Sequence, residues 1–399
     1  MEKTESKKSD KLRWYQRIIG GLKKTSDIWN LVFIFTAWRL TLEFFAWLGK
    51  TQFAELSPGS PWNEDITAMI NNWTRWDSGW YLSIIQHGYV WVEPSEGASN
   101  VAFFPLYPYL IKLLAFPLES NPLAVATAIS SLALLVGIIY FFKLVRLDHT
   151  REISYQAVLF LLLFPMSFFF VSAYTESLFF LLTVACLYHA RQAEWLTSSI
   201  FGFFAAFTRF VGVMLIFVIF VEYLQQVEWK FRKIRADIGF SFLIPLGLFS
   251  YMYLLEAQLG SSLLFFRAQE SWGRAMEWPN RMLTESYFPF LQNINSYFEA
   301  DQLRYVFEFA YFTIAIMLLV LGFIFLRKSY ALFALFAFIP AISSGTLESI
   351  GRYILVIFPF FILFAIAGKW KPFQFGYIAL SAGLLAYNVF LFVNWNWVS

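Results

Sequence analysis

Apolar runs recur along this chain from about Trp29 to its last residues, nearly free of charge and separated by short polar or basic stretches. A bilayer core takes about 20 apolar residues per helical crossing. Lipid offers no partner to an unpaired backbone group, so the runs predict helices rather than a barrel. The spacing predicts eleven of them, at 27–48, 122–147, 153–172, 176–191, 195–211, 212–228, 238–256, 303–326, 330–345, 353–368 and 374–394. The fold class is therefore expected to be an all-α polytopic membrane protein. Residues 1–26 form a lysine-rich polar tail, expected in the cytoplasm, because a cleaved signal peptide would place its apolar stretch directly after a short basic start. Residues 27–399 are expected to be a single membrane domain.

Two long polar stretches interrupt the pattern. The first, 49–121, is tryptophan-rich and too long for a simple connection, which marks it as functional. Inside it, residues 103–112 are too short and proline-broken to cross, and suit an aromatic helix lying at the interface. With that segment on the outer side, the next run ends inside, at Lys143, Arg146 and Arg151. The second stretch, 257–301, holds Arg267, Glu270, Trp272, Arg274 and Trp278.

Composition narrows the function. Hydrophobic residues make up 59% of the 399 and charged residues 14%, which excludes a soluble enzyme. The net charge of +3 comes from clusters such as Lys7-Lys8, Lys23-Lys24 and Lys230, Arg232, Lys233 and Arg235. In such a protein these orient the chain and do not imply nucleic acid. The lone Cys186 and the scattered His87, His149 and His189 offer no metal cluster, and no cofactor is expected.

The outward helix ends collect the polar groups that lipid makes costly, which marks that face for chemistry. Asp77 sits among aromatic rings just beyond the first run, where a carboxylate can take a proton from an attacking hydroxyl. Alternatively it caps a helix beginning at Ser78, or pairs with Arg75. His87 can orient a phosphate or hydroxyl. Arg209 and Arg352 offer a planar fork suited to phosphate, or snorkel to headgroups. Glu176, beside Tyr174, begins a run where an acid also favours the helix dipole. Arg39 and Glu43, four apart, read as a buried pair that fixes packing.

In order along the chain, Trp76-Asp77-Ser78-Gly79-Trp80-Tyr81 with His87-Gly88-Tyr89, Phe103-Phe104-Pro105-Leu106-Tyr107-Pro108, Ala173-Tyr174-Thr175-Glu176-Ser177-Leu178-Phe179, Phe207-Thr208-Arg209 and Gly351-Arg352-Tyr353 resemble the PIG-V family. That family comprises GPI mannosyltransferase II and its prokaryotic relatives within the GT-C class of polytopic glycosyltransferases. The resemblance implies a GT-C-like fold and a sugar, mannose first, taken from a polyprenyl- or dolichyl-phosphate donor. The acceptor would be a glycolipid, glycan or protein on the non-cytoplasmic face, and the transfer would invert the sugar. By that resemblance Asp77 and Glu176 are the catalytic carboxylates. Arg209 and Arg352 bind the donor phosphate, with His87, Arg75, Tyr174 and Tyr353 as further substrate contacts. No family pattern covers 257–301. A prokaryotic plasma membrane is expected rather than the endoplasmic reticulum. The competing function is a transporter or lipid flippase, which should gather its polar groups near the bilayer midplane rather than at one face.

Overall fold

This computed structural model describes residues 2–52, 68–274, 281–293 and 303–398, with side chains from Thr25 onward. Trp278 lies outside the described residues. All regular structure among the described residues is helical.

The first helix, α1 (Glu2–Gln52), runs unbroken from the polar tail through the first apolar run. Its tail is rich in lysine, a good helix former, and the helix continues across the change from polar to apolar sequence. Arg39 and Glu43 form the expected ion pair one helical turn apart. Trp73 Nε1 donates to Glu43 Oε1 at 2.7 Å, and the Arg39 guanidinium lies over the Trp73 ring. The pair thereby fastens α1 to the chain beyond it.

Between the first two long helices stand α2 (Ala68–Asn71), α3 (Ser78–His87) and α4 (Leu106–Ala115). The last is the short aromatic helix expected near 103–112. Two hydroxyls tie this region down. Tyr107 donates to the Ala126 carbonyl at 2.9 Å and lies 2.7 Å from Ser130 Oγ, which in turn donates to the Tyr174 carbonyl at 3.2 Å. The Phe-Phe-Pro-Leu-Tyr-Pro motif is thus a packing device that seats α4 on α5 (Pro122–Arg146).

Next come α6 (Arg151–Leu163), α7 (Glu176–Arg191), α8 (Trp195–Thr208), α9 (Leu215–Gln226) and α10 (Leu243–Leu259). The second long polar stretch contributes α11 (Leu264–Arg267) and α12 (Phe288–Gln292). The chain closes with α13 (Leu303–Phe325), α14 (Lys328–Ile342), α15 (Ile350–Leu355), α16 (Phe358–Ala367) and α17 (Lys371–Val393). Helix α7 is central. It packs on α5 and α8, with α10 beyond α8, while α17 lies against α1 and α16 against α6.

Each of the eleven predicted runs carries a helix, but only five are long and apolar enough to cross a membrane: Thr25–Gln52, Pro122–Arg146, Ala236–Leu259, Arg304–Phe325 and Lys371–Val393. Two of the others are interrupted near proline. Helix α6 stops at Leu163, two residues before Pro165, and the run expected at 353–368 is split into α15 and α16 just before Pro359. Proline has no N–H for the helical ladder and pushes its predecessor out of the helical region. The chain is an integral membrane protein, and its crossings cannot be counted from apolar runs alone.

Candidate active site

Asp77 and Arg352 are both delivered by strained turns. Trp76, directly before Asp77, has φ of 50°, and Ser349, which precedes α15, has φ of 70°. Left-handed backbone costs a non-glycine residue about 1–3 kcal/mol and persists where the surroundings enforce it. At the first turn the enforcing group is Tyr174. Its buried hydroxyl donates to the Arg75 carbonyl at 3.1 Å and accepts from the Asp77 N–H at 3.2 Å. At the second, Gly351 allows α15 to approach closely, since a Cβ there would stand 3.1 Å from Met166 and Tyr311.

Asp77 occupies the N-cap position of α3, yet its side chain makes no capping bond. Asp77 Oδ2 instead accepts from Arg352 Nη1 at 2.6 Å. The Arg352 guanidinium lies among the rings of Phe169, Tyr174 and Tyr353, with its Nε 3.6 Å from Glu176 Oε1. Glu176, at the first turn of α7, pairs through the same Oε1 with Arg209, whose Nε donates to Thr175 Oγ1 at 2.9 Å. The result is a line of alternating charge, Asp77, Arg352, Glu176, Arg209, drawn from four separate parts of the chain. Glu176 is wholly buried, whereas the Asp77 and Arg209 side chains keep 16% and 20% of their exposure.

The line is incompletely paired. Glu176 Oε2, Arg352 Nε, Ser78 Oγ and the Trp76 indole N–H are buried without a hydrogen-bond partner. Unpaired buried polar atoms are uncommon in folded proteins, and a cluster of them among the described residues beside a partly exposed carboxylate makes this the candidate site. Arg209 is held in place by a turn that requires glycine. Gly212 N–H donates to the Arg209 carbonyl at 2.9 Å, and a Cβ on Gly212 would come within 2.3 Å of the Ala205 backbone.

Not every predicted residue joins. Arg75 does not pair with Asp77. Its guanidinium donates to Asn71 Oδ1 at 2.6 Å and the Val393 carbonyl at 3.3 Å, lies over the Trp395 ring and keeps a buried, unbonded Nε, and burial lowers its pKa to about 10. It is a strut between the Asp77 loop and the end of α17. His87 is exposed at the far end of α3, about 14 Å along the helix from its start, and does not reach the line of charge. Tyr174 belongs to the frame, since its hydroxyl is fully engaged by backbone. Tyr353 stands beside the line, stacked between Arg352 and Arg274.

Other participants carried no signal in spacing. Thr175 Oγ1 accepts from Arg209 and, at 3.4 Å, from Tyr81. Arg274, from the second long polar stretch, brings its guanidinium over Tyr353 with a buried, unbonded Nε. Trp272 of the same stretch meets Trp80 and Phe103, so that stretch folds directly over the start of α3. Its placement depends on tertiary packing. Among the described residues no three His, Cys, Asp or Glu side chains stand together as metal ligands.

Residues 51–269 match the profile of a mannosyltransferase family, PIG-V. The chain belongs to the PIG-V mannosyltransferase family. Asp77, Glu176 and Arg209 fall inside the matched stretch and Arg352 falls beyond it. The PIG-V relative from Rattus norvegicus, GPI alpha-1,6-mannosyltransferase 2, is 25% identical over 169 residues, which cover 40% of this chain and 33% of the relative. The Mus musculus protein of the same name is 26% identical over 223 residues, 50% of this chain and 44% of the relative. The chain thus matches less than half the length of these relatives. Both are mammalian and lend no support to the expected prokaryotic membrane. In structure this PIG-V chain resembles ArnT from Cupriavidus metallidurans, solved bound to undecaprenyl phosphate. The TM-score is 0.50 at 15% identity, covering 92% of this chain and 76% of ArnT, and the likeness shows a shared GT-C-like fold.

Proposed function

We propose that the chain is an inverting glycosyltransferase of the membrane. In this reading it moves mannose from a polyprenyl-phosphate donor to a hydroxyl of a glycolipid, glycan or protein on the non-cytoplasmic face. The observation that carries the reading is Asp77: a partly exposed carboxylate with a single hydrogen bond among the described residues, to a buried arginine, in a cluster whose polar atoms are not all paired. PIG-V membership favours mannose. The lipid phosphate bound to the ArnT neighbour favours the donor class.

Asp77 acts as general base. The acceptor oxygen bonds to the anomeric carbon from the face opposite the phosphate, and its proton passes to the Asp77 carboxylate. The carbon–oxygen bond to phosphate breaks, its electron pair leaving with the polyprenyl phosphate. Charge then grows on the phosphate oxygens, where Arg209 and Arg352 present fixed donors that need no reorganisation as the bond breaks. Glu176 touches both arginines, so it is a positioning residue that holds two like charges within one site.

The test uses radiolabelled polyprenyl-phosphate mannose, the purified protein in detergent and a lipid-glycan extract. Label should pass to the extract with wild-type protein, persist in chelator and be lost in Asp77→Asn. Transfer that is undiminished in Asp77→Asn would remove the base. An absence of transfer from mannose, glucose and arabinose donors, together with movement of lipid or solute across vesicles, would replace this reading with a transporter or flippase.

A further inference from the structure

A cavity of about 440 Å³ lies between α13, α15, α17 and the C-terminal segment, beside residues that adjoin the Asp77–Arg352 pair. It touches both halves of the pair through their neighbours. Gly351, on its wall, precedes Arg352. Trp397, also on its wall, meets the ring of Trp76, which precedes Asp77, edge-on at 5.3 Å.

The lining sets a few polar groups among aromatic and aliphatic side chains. Glu308 is 6% exposed, and its Oε1 has no hydrogen bond, Arg304 Nε approaching only to 3.5 Å. The indole N–H groups of Trp397 and Trp76 are likewise buried and unbonded. Asn388 and Asn396 add amides to a wall that also carries Tyr311, Tyr387 and Leu384. A lining with one unbonded acceptor, Glu308, and one unbonded donor, Trp397, among flat rings suits a ligand that both donates and accepts along its edges and offers C–H faces to aromatics. A sugar does all three. A phosphate does not fit, because Arg304, the basic residue of the lining, already lies near two carboxylates, Glu308 and, at 3.8 Å, Glu348. The volume falls within the range of about 300–1,000 Å³ usual for small-molecule sites.

We infer that this cavity is the acceptor subsite, taking the terminal sugar of a glycan and presenting one of its hydroxyls to Asp77. This rests on the transferase reading for its chemistry, but not for its existence. The arrangement divides the site by charge. The phosphate-bearing donor lies on the side of Arg209, and the neutral, hydroxyl-rich acceptor lies on the side of Glu308.

Saturation-transfer NMR tests binding apart from turnover, with full-length protein in nanodiscs and methyl α-mannoside, methyl α-glucoside and methyl α-galactoside as soluble probes. At least one should receive saturation from wild type. That signal should fall several-fold in Glu308→Gln and in Trp397→Phe, and survive in Asp77→Asn. The two cavity variants change different walls, and each is checked for folding by its thermal transition. No signal from any probe on wild type, or equal signal in both cavity variants when folded, overturns the inference. Binding that behaves as expected in a protein that transfers no sugar leaves the cavity standing and refutes the transferase reading alone.

Discussion

Helix α7 carries a carboxylate–arginine network at each end, about 22 Å apart along its 16 residues. Both networks contain two acids and two arginines. At the C-terminal end Glu222 is wholly buried and fully occupied. It takes both donors of Arg327 at 2.7 and 2.8 Å, the Ser329 hydroxyl at 2.7 Å and the Gln226 amide at 2.8 Å. Asp148 takes two donors of Arg191 at 2.5 and 2.8 Å. At the N-terminal end Asp77 takes one bond, Glu176 leaves an oxygen free, and Arg352 Nε has no hydrogen-bond partner. A buried polar atom left unpaired costs about 1–3 kcal/mol. The same helix supports a network whose polar groups are paired and one in which several are not.

The largest contrast should come from removing one acid at each end. Asp77→Asn is expected to lower transfer by about 10²–10⁴-fold, the usual worth of a general base, while thermal unfolding in detergent changes little. Glu222→Gln leaves Arg191 and Arg327 without their shared countercharge. It should cost about 3–5 kcal/mol of stability, with the rate per folded molecule unchanged. The reverse result, with Asp77→Asn unfolding the protein and Glu222→Gln only slowing it, would erase the distinction between the two ends.

A smaller effect separates bound from available arginines at the open end. Arg209 and Arg352 are each engaged by a carboxylate, whereas the Arg274 guanidinium lies over Tyr353 with an unbonded Nε. A guanidinium so placed is suited to complete the donor-phosphate site. Arg274→Gln is expected to raise the donor KM about tenfold, the worth of one charge-assisted hydrogen bond, with kcat within about threefold of wild type. An unchanged KM would confine Arg274 to packing the second polar stretch.

Much of this was legible in the sequence, for physical reasons. Apolar runs report burial in lipid directly, so the helical segments and the short α4 could be read without a structure. Asp77, Glu176, Arg209 and Arg352 stood out because charge beside apolar runs is costly. The pairing among them could not be read. Arg75 lies two residues from Asp77 but reaches back to Asn71 and across to α17, while Arg352 arrives from 275 positions away. Glu308 follows Arg304 by four residues, a spacing that on a helix usually means mutual neutralisation, so the sequence does not mark it. The 3.5 Å separation and the free oxygen belong to the cavity.

The finest contrast concerns what charge does at the closed end. Asp148 lies in the turn between α5 and α6. Burial alone would raise its carboxyl, but the hydrogen bonds and charge of Arg191, with Arg327 adding, outweigh burial and hold it below the usual carboxylate range. A carboxyl lowered on folding contributes stability that is complete above its unfolded value and disappears as pH falls through its folded one. The wild-type advantage over Asp148→Asn in unfolding temperature should therefore be constant at neutral pH and shrink below about pH 4. The effect is modest, because Asp148 is 31% exposed and solvent screens its pairing. An advantage that stayed constant down to pH 2 would mean that the shape of the Asp148–Arg191 contact, rather than its charge, stabilises that end.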